Sequence, residues 1–213
     1  VLLMLADTLG LSLHESNLLL HSGGYSAAYS SFQLSDPEME PIRHALEMML
    51  EKQNPYPAVV LDSNWNMLMA NAAQQKLGET IAGAQAGNNS GNIMEMVFDP
   101  DSLRPLIANW DDVAAHLLRR LRRQVVAYSK PGHVSLFKQL LDMDPPDNWQ
   151  QPSHDQTESP VLTVDIRVAD KVVSMFSTLS QFGTALDVSA EEILIENYFP
   201  ANAFSRRFFE SLV

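Results

Sequence analysis

Residues 58–71 read AVVLDSNWNMLMAN, two apolar runs on either side of Asp62-Ser63-Asn64, with Asn71 closing the stretch where a helix N-cap belongs. Short apolar runs separated by Asp, Ser and Asn predict a β-hairpin, because these side chains hydrogen-bond their own backbone and tolerate the turn. A helix starting at AAQQKL follows from the Asn71 cap. A second strand signal comes a hundred residues later. VLTVDIRVADKVVSMFSTLSQF (161–182) alternates around an Ala169-Asp170 tip, with Val161, Thr163, Asp165 and Arg167 on one face and Leu162, Val164, Ile166 and Val168 on the other. EILIENYF (192–199) is short, β-branched and aromatic before Pro200, which favours a strand, although Ser189 with Glu192 has the spacing of a helical capping box. We read it as a strand.

Between these β segments lies helix. Residues 93–143 are mostly helical, with a long helix over 106–128 and a shorter one over 134–141. GAQAGNNSGN (83–92) reads as a flexible surface loop, and the Pro-rich residues 143–160 as an irregular connection. Two strands, several helices and three strands predict an α+β fold, an antiparallel sheet covered by helices with a space beneath them. Asn202 to Leu212 reads as a closing amphipathic helix.

Upstream, Leu2, Leu5, Ala6 and Leu9 have helical spacing and Gly10 is placed to stop the helix. Ser12 and Glu15 form a capping box for a second helix, which Gly23-Gly24 ends. Residues 25–36 are a Ser/Ala/Tyr linker. Asp36-Pro37 then opens a third helix, Asp at the N-cap and Pro at N1, with an apolar stripe of Ile42, Ala45, Leu46 and Met49.

Composition narrows the function. The 213 residues are 46% hydrophobic with a net charge of -12 and a pI near 4.8. That balance argues against a nucleic-acid footprint in this chain, since phosphate contacts need clustered Lys and Arg. With no cysteine, disulfides and thiolate zinc sites are excluded, and a soluble, cytoplasmic protein is expected. VLLMLA is too short for a signal peptide, and Ser16 to Ser35 too rich in Ser and Gly to span a bilayer, so no membrane association is expected.

Catalytic patterns fail one by one. His14-Glu15 opens an HExxH pattern, but Leu18 occupies the place of the second His. His21, His44, His116, His133 and His154 lack metal-ligand spacing, and no nucleophile elbow, P-loop or dinucleotide fingerprint occurs. Asp111-Asp112 and Glu191-Glu192 fit solvated faces. An enzyme is not expected. LLRRLRR (117–123) is the one concentrated positive patch: either a solvated helix face, or a helix that turns Arg120 or Arg123 inward to an anionic head group.

LADTLGLSLHESNLLLHSGGY (5–25) resembles the last two helices of a helix-turn-helix domain of the xenobiotic-response-element type. PYPAVVLDSNWNMLMAN (55–71), the NW of ANWDDVAAHLLRRLRR (108–123) and FGTALDVSAEEILIENYFPA (182–201) resemble the MmyB-like ligand-binding domain of such regulators. Asn202 departs from the pattern, which usually has Asp there. The resemblance implies a PAS-like domain over 58–213, a linker helix over 29–57, and residues 1–28 as the end of a DNA-binding domain whose base-reading helix stood in front.

It further implies a homodimeric bacterial transcription regulator that meets DNA through that missing front and senses a small apolar or amphipathic ligand. Some relatives look able to hold a fatty acid, and no cofactor is expected beyond such a lipid. The ten Met suit a pocket that receives a flexible chain. The expected lining is Leu61 and Leu68 from the first hairpin, Phe98 and Trp110 near the lid, Leu117 and Leu121 on the long helix, and Phe176 and Ile195 from the late strands. Arg120 or Arg123 is the expected head-group partner. The alternative is the same fold used only for dimerisation or for a partner protein.

Overall fold

The computed structural model describes residues 1–82, 91–128, 130–151, 161–183 and 185–212. Helix α1 (Leu2–Leu9) stops at Gly10, whose φ of 63° is the left-handed conformation that suits glycine. In α2 (Leu13–Ser22) the Ser12 hydroxyl accepts from the Glu15 N–H (3.2 Å) while the Glu15 carboxylate accepts from the Ser12 N–H (2.9 Å). The capping box is complete.

The third helix differs from expectation at its start. Asp36 accepts from the Gln33 N–H and leads into a 3₁₀ turn, Pro37–Met39, and α3 proper runs Glu40–Gln53. Its stripe differs too. Leu46 and Leu50 are buried, whereas Met49 is 40% exposed. Leu46 and Leu50 are four residues apart and share one face, which lies on the sheet.

Both predicted hairpins form. Strand β1 (Ala58–Leu61) pairs with β2 (Met67–Ala70), and β3 (Val164–Val168) with β4 (Lys171–Ser180). The first turn is held by Asp62, whose carboxylate accepts from the Asn64 and Asn66 N–H groups and from the Asn66 amide. With β5 (Leu194–Pro200) the sheet runs β2-β1-β5-β4-β3, every neighbouring pair antiparallel. EILIENYF is divided between helix and strand: α8 (Val188–Glu192) takes Glu192, and β5 begins at Leu194. The cap of α8 is Asp187, not Ser189, its carboxylate accepting from the Ser189 and Ala190 N–H groups.

Asn71 ties the sheet to the helices. Its side-chain oxygen accepts from the Gln74 N–H at the start of α4 (Ala72–Ala82) and from the Ala58 N–H, and its amide donates to the Tyr56 and Leu50 carbonyls. Helix α5 (Ile93–Phe98) follows, capped by Asn92. The expected helix over 106–128 begins later, as α6 (Trp110–Tyr128). Ile107 bridges Ile166 of β3 instead, and the Asn109 side chain bonds Thr163 and Asp165, which anchors the chain to the sheet edge before it turns helical. Helix α7 (Pro131–Leu141) starts three residues before its expected start, with proline at N1. Helix α9 (Ala203–Glu210) closes the chain, and Asn202 caps it by accepting from the Ser205 N–H. Most of the expected 83–92 loop and residues 152–160 of the expected connection, with His154 and Thr184, lie outside the described residues.

The sheet is packed on both faces. Val59, Leu61 and Leu194 face α5, α6 and α7 together with Trp65, Leu118 and Leu121. Ala58, Val60 and Ile195 face α3. A third cluster, around Ile166, Val173, Met175 and Phe209, joins α9 and α4 to the β3–β4 end of the sheet.

Candidate ligand cavity

Between the sheet and the helices is a cavity of about 570 Å³, within the range that small-molecule sites occupy. The floor is the sheet face that carries Val164, Ile166, Met175 and Leu179. The walls come from Leu77 and Ile81 of α4, Met96 and Val97 of α5, and Val113 and Leu117 of α6. Gly78, on the α4 wall, has nothing within 4 Å of where a Cβ would stand.

Apart from Gln74 and Ser102, the polar lining of the cavity is gathered at one end. On α6, His116 and Arg120 follow Val113 by three and seven residues and so share its face. Across from them stand Ser177 of β4 and Glu196 and Tyr198 of β5, brought onto the same face because Ser177 pairs with Tyr198 and Leu179 with Glu196 in the ladder. The Arg120 guanidinium lies 4.7 Å from the centre of the Trp65 ring, a cation–π contact. Arg120 makes no hydrogen bond or ion pair with any described residue.

Glu196 is buried, 9% exposed. Burial pushes its carboxyl above the ordinary carboxylate range, opposed by hydrogen bonding from the Ser177 and Tyr198 hydroxyls and by the charge of Arg120. Tyr198 is pushed well above the usual phenol value by burial, then by the charge of Glu196 and the bond to it. Burial also lowers Arg120, with Arg123 adding and Glu196 opposing. His116 is lowered by burial and by Arg119, Arg120 and Arg123, so the imidazole favours its neutral form. The site is therefore an apolar chamber ending in hydrogen-bonding groups and one unpaired guanidinium. Among the described residues no group of three His, Cys, Asp or Glu is placed to hold a metal.

Of the ten residues expected to line the site, Leu117 and Arg120 do so. Leu61, Phe98 and Leu121 are fully buried in the packed core alongside. Trp110 is half-buried, edge-on to Phe98, with its indole N–H on the Val97 carbonyl and the Arg104 guanidinium 3.9 Å from its ring. Leu68 is 41% exposed. Phe176 stacks on Phe199 outside the cavity, and Ile195 packs against α3. Strand alternation explains both: one residue either way, Met175 and Ser177, or Glu196, is the one that faces the helices. Arg123 lines a separate outer cleft. In the rest of LLRRLRR, Arg119 donates to the Trp149 and Gln151 carbonyls and Arg122 lies near the Trp149 ring.

The sequence reading missed Trp65, His116, Ser177, Glu196 and Tyr198. Glu196 had a signal, a lone charge inside an apolar strand run, two residues from Leu194 and from Tyr198.

Residues 42–212 match the family model described as the MmyB-like transcription regulator ligand binding domain. Among solved structures, the PAS domain from Bordetella pertussis BvgS is similar at 15% identity, over 79% of this chain and 94% of that one, with a TM-score of 0.34. No curated protein matches the chain. No helix among the described residues is long and apolar enough to cross a membrane.

Proposed function

The chain belongs to the MmyB-like transcription regulator ligand binding domain family, and we propose that its PAS-like domain senses a fatty-acid-like ligand whose binding controls the DNA affinity of a homodimeric cytoplasmic regulator. The observation that carries this reading is the largely apolar 570 Å³ cavity with Arg120, free of any ion pair to a described residue, in its main polar cluster. A half-buried guanidinium without an ion pair to a described residue suits an anionic head group. The flexible Met67, Met96 and Met175 side chains in the wall suit a chain of variable shape. Residues 1–28, with their glycine stop and capping box, serve in this reading as the end of the DNA-binding domain.

Each buried methylene contributes about 0.8 kcal/mol. A ten-carbon tail thus contributes about 8 kcal/mol, which ordering costs of several kcal/mol cut to roughly millimolar affinity, whereas a tail of sixteen to eighteen carbons reaches roughly micromolar. Delipidated protein titrated calorimetrically with decanoic to octadecanoic acid is expected to bind at least one of them at that level. Leu117→Trp, which fills the cavity from the α6 wall, is expected to abolish the heat of binding with little change in Tm. Absence of uptake of every acid by the unmodified protein defeats the proposal and leaves the domain as a dimerisation or partner-binding module.

A further inference from the structure

Arg120 stands between the inner cavity and a second, outer space. Beyond it lies a wider cleft of about 810 Å³, and His116 and Arg120 form part of the wall of both. The cleft runs between the N-terminal helices and the sensor, where Ser12, Arg123, Lys130, Glu191 and Glu192 meet.

Its charges are unevenly used. Glu192 accepts from Lys130 and from the Ser63 hydroxyl, and Glu191 accepts the Leu13 N–H at the start of α2 (2.9 Å). Both carboxylates are occupied. Arg120 has only its stacking on Trp65 and longer-range attraction to Glu196. Arg123, three residues on along α6, has no hydrogen bond or ion pair to a described residue. Two guanidiniums one helical turn apart thus face the cleft without a counter-ion. The inner side of Arg120 is less hospitable to an anion. Glu196 sits there with the Ser177 and Tyr198 hydroxyls, and a ligand carboxylate beside it would meet a buried acid. A neutral carbonyl or amide fits that position better.

We propose that the ligand is an acyl conjugate rather than a free acid: its tail in the inner cavity, a neutral carbonyl-type joint beside Glu196, Ser177 and Tyr198, and its anionic group in the outer cleft on Arg120 and Arg123. This rests on the apolar-ligand reading above and names the class of molecule that satisfies both chambers. It also brings the anion to the cleft that Ser12 and the α2-bound Glu191 border, between sensor and N-terminal helices.

The test compares two probes with one tail on the full delipidated chain, dodecanoic acid and N-dodecanoylglycine, whose carboxylate lies one amide unit further out. N-dodecanoylglycine is expected to bind about tenfold more tightly, the worth of one charge-assisted contact. Arg123→Ala, at an exposed position, is expected to bring the ratio of the two affinities back near one, and Arg123→Lys to keep part of it. Equal or weaker binding of the conjugate, or a preference that survives Arg123→Ala, overturns the proposal while leaving a fatty-acid sensor standing. Failure of both probes to bind overturns it as well, and the sensor reading falls with it only if none of the decanoic to octadecanoic acids binds.

Discussion

Strand β5 turns Ile195 toward α3 and Glu196 toward α6, and the two faces of the sheet differ as those two residues do. On the α3 face, Met39, Leu46, Leu50, Ala58, Val60 and Ile195 form a continuous apolar cluster, with Leu46, Ala58 and Val60 fully buried. On the other face β4 and β5 present Ser177, Glu196 and Tyr198 to a chamber of 570 Å³. The α3 face is packed throughout, whereas the other is packed around Trp65, Leu118 and Leu121 and leaves a space beside them. Side chains lining a chamber make fewer dispersion contacts and a buried acid costs desolvation, so the packed regions around the chamber must supply what it lacks.

The comparison breaks most readily at Leu46. Leu46→Ala removes a fully buried side chain from the packed face, where neighbours relax only partly into the gap, so a loss of about 2–5 kcal/mol is expected. Urea unfolding of the variant measures it directly. A loss no larger than that of a surface substitution means that the α3 face is not the packed one.

The hollow face is probed through Glu196. Burial raises its folded-state value above that of the unfolded chain, about 4.3. Between those two values the folded state keeps a proton that the unfolded state has lost, so stability falls as pH rises through the window, and above it the whole penalty is present. Glu196→Gln carries no such proton. The stability of Glu196→Gln relative to the unmodified protein is therefore expected to increase from acid to neutral pH, read from Tm across that range. A difference that stays flat or narrows with pH means that Glu196 is not held in a water-poor site.

How much of this was legible in the sequence depends on whether the deciding force was local. Turns and caps were: Asp62, Ser12 with Glu15, Asn71 and Asn202 act on backbone groups within a few residues. Strand phase was not. In a sheet covered on both faces, Phe176 and Ile195 are as apolar as the Met175 and Leu194 beside them, and alternation has no polar side to mark. The start of α6 was hidden for a similar reason. Residues 106–109 continue an apolar pattern, but Ile107 is taken by a bridge to Ile166, a partner 59 residues away whose pull leaves no local trace. On α6 itself the spacing of Val113, Leu117 and Arg120 marked the inner face, and three neighbouring arginines obscured it.

The smallest expected effect is at Met49, and it sharpens the comparison by separating the two sides of one helix. Met49 is three residues from Leu46 and equally apolar in sequence, yet it is 40% exposed, with Met48 beside it at 51%. Its side chain lies at the surface and is partly in water already, so Met49→Ala opens no enclosed cavity. A change within about 0.5 kcal/mol is expected, against several for Leu46→Ala measured in the same way. The same variant also tests what covers that outer side of α3. If the proposed homodimer packs through it, Met49→Ala weakens self-association in sedimentation while barely altering the unfolding of the dilute protein. If sedimentation and unfolding are both unchanged, the outer side of α3 faces solvent and the subunits meet elsewhere. A stability loss approaching that of Leu46→Ala would instead put Met49 in the packed face and rotate α3 from the orientation described above.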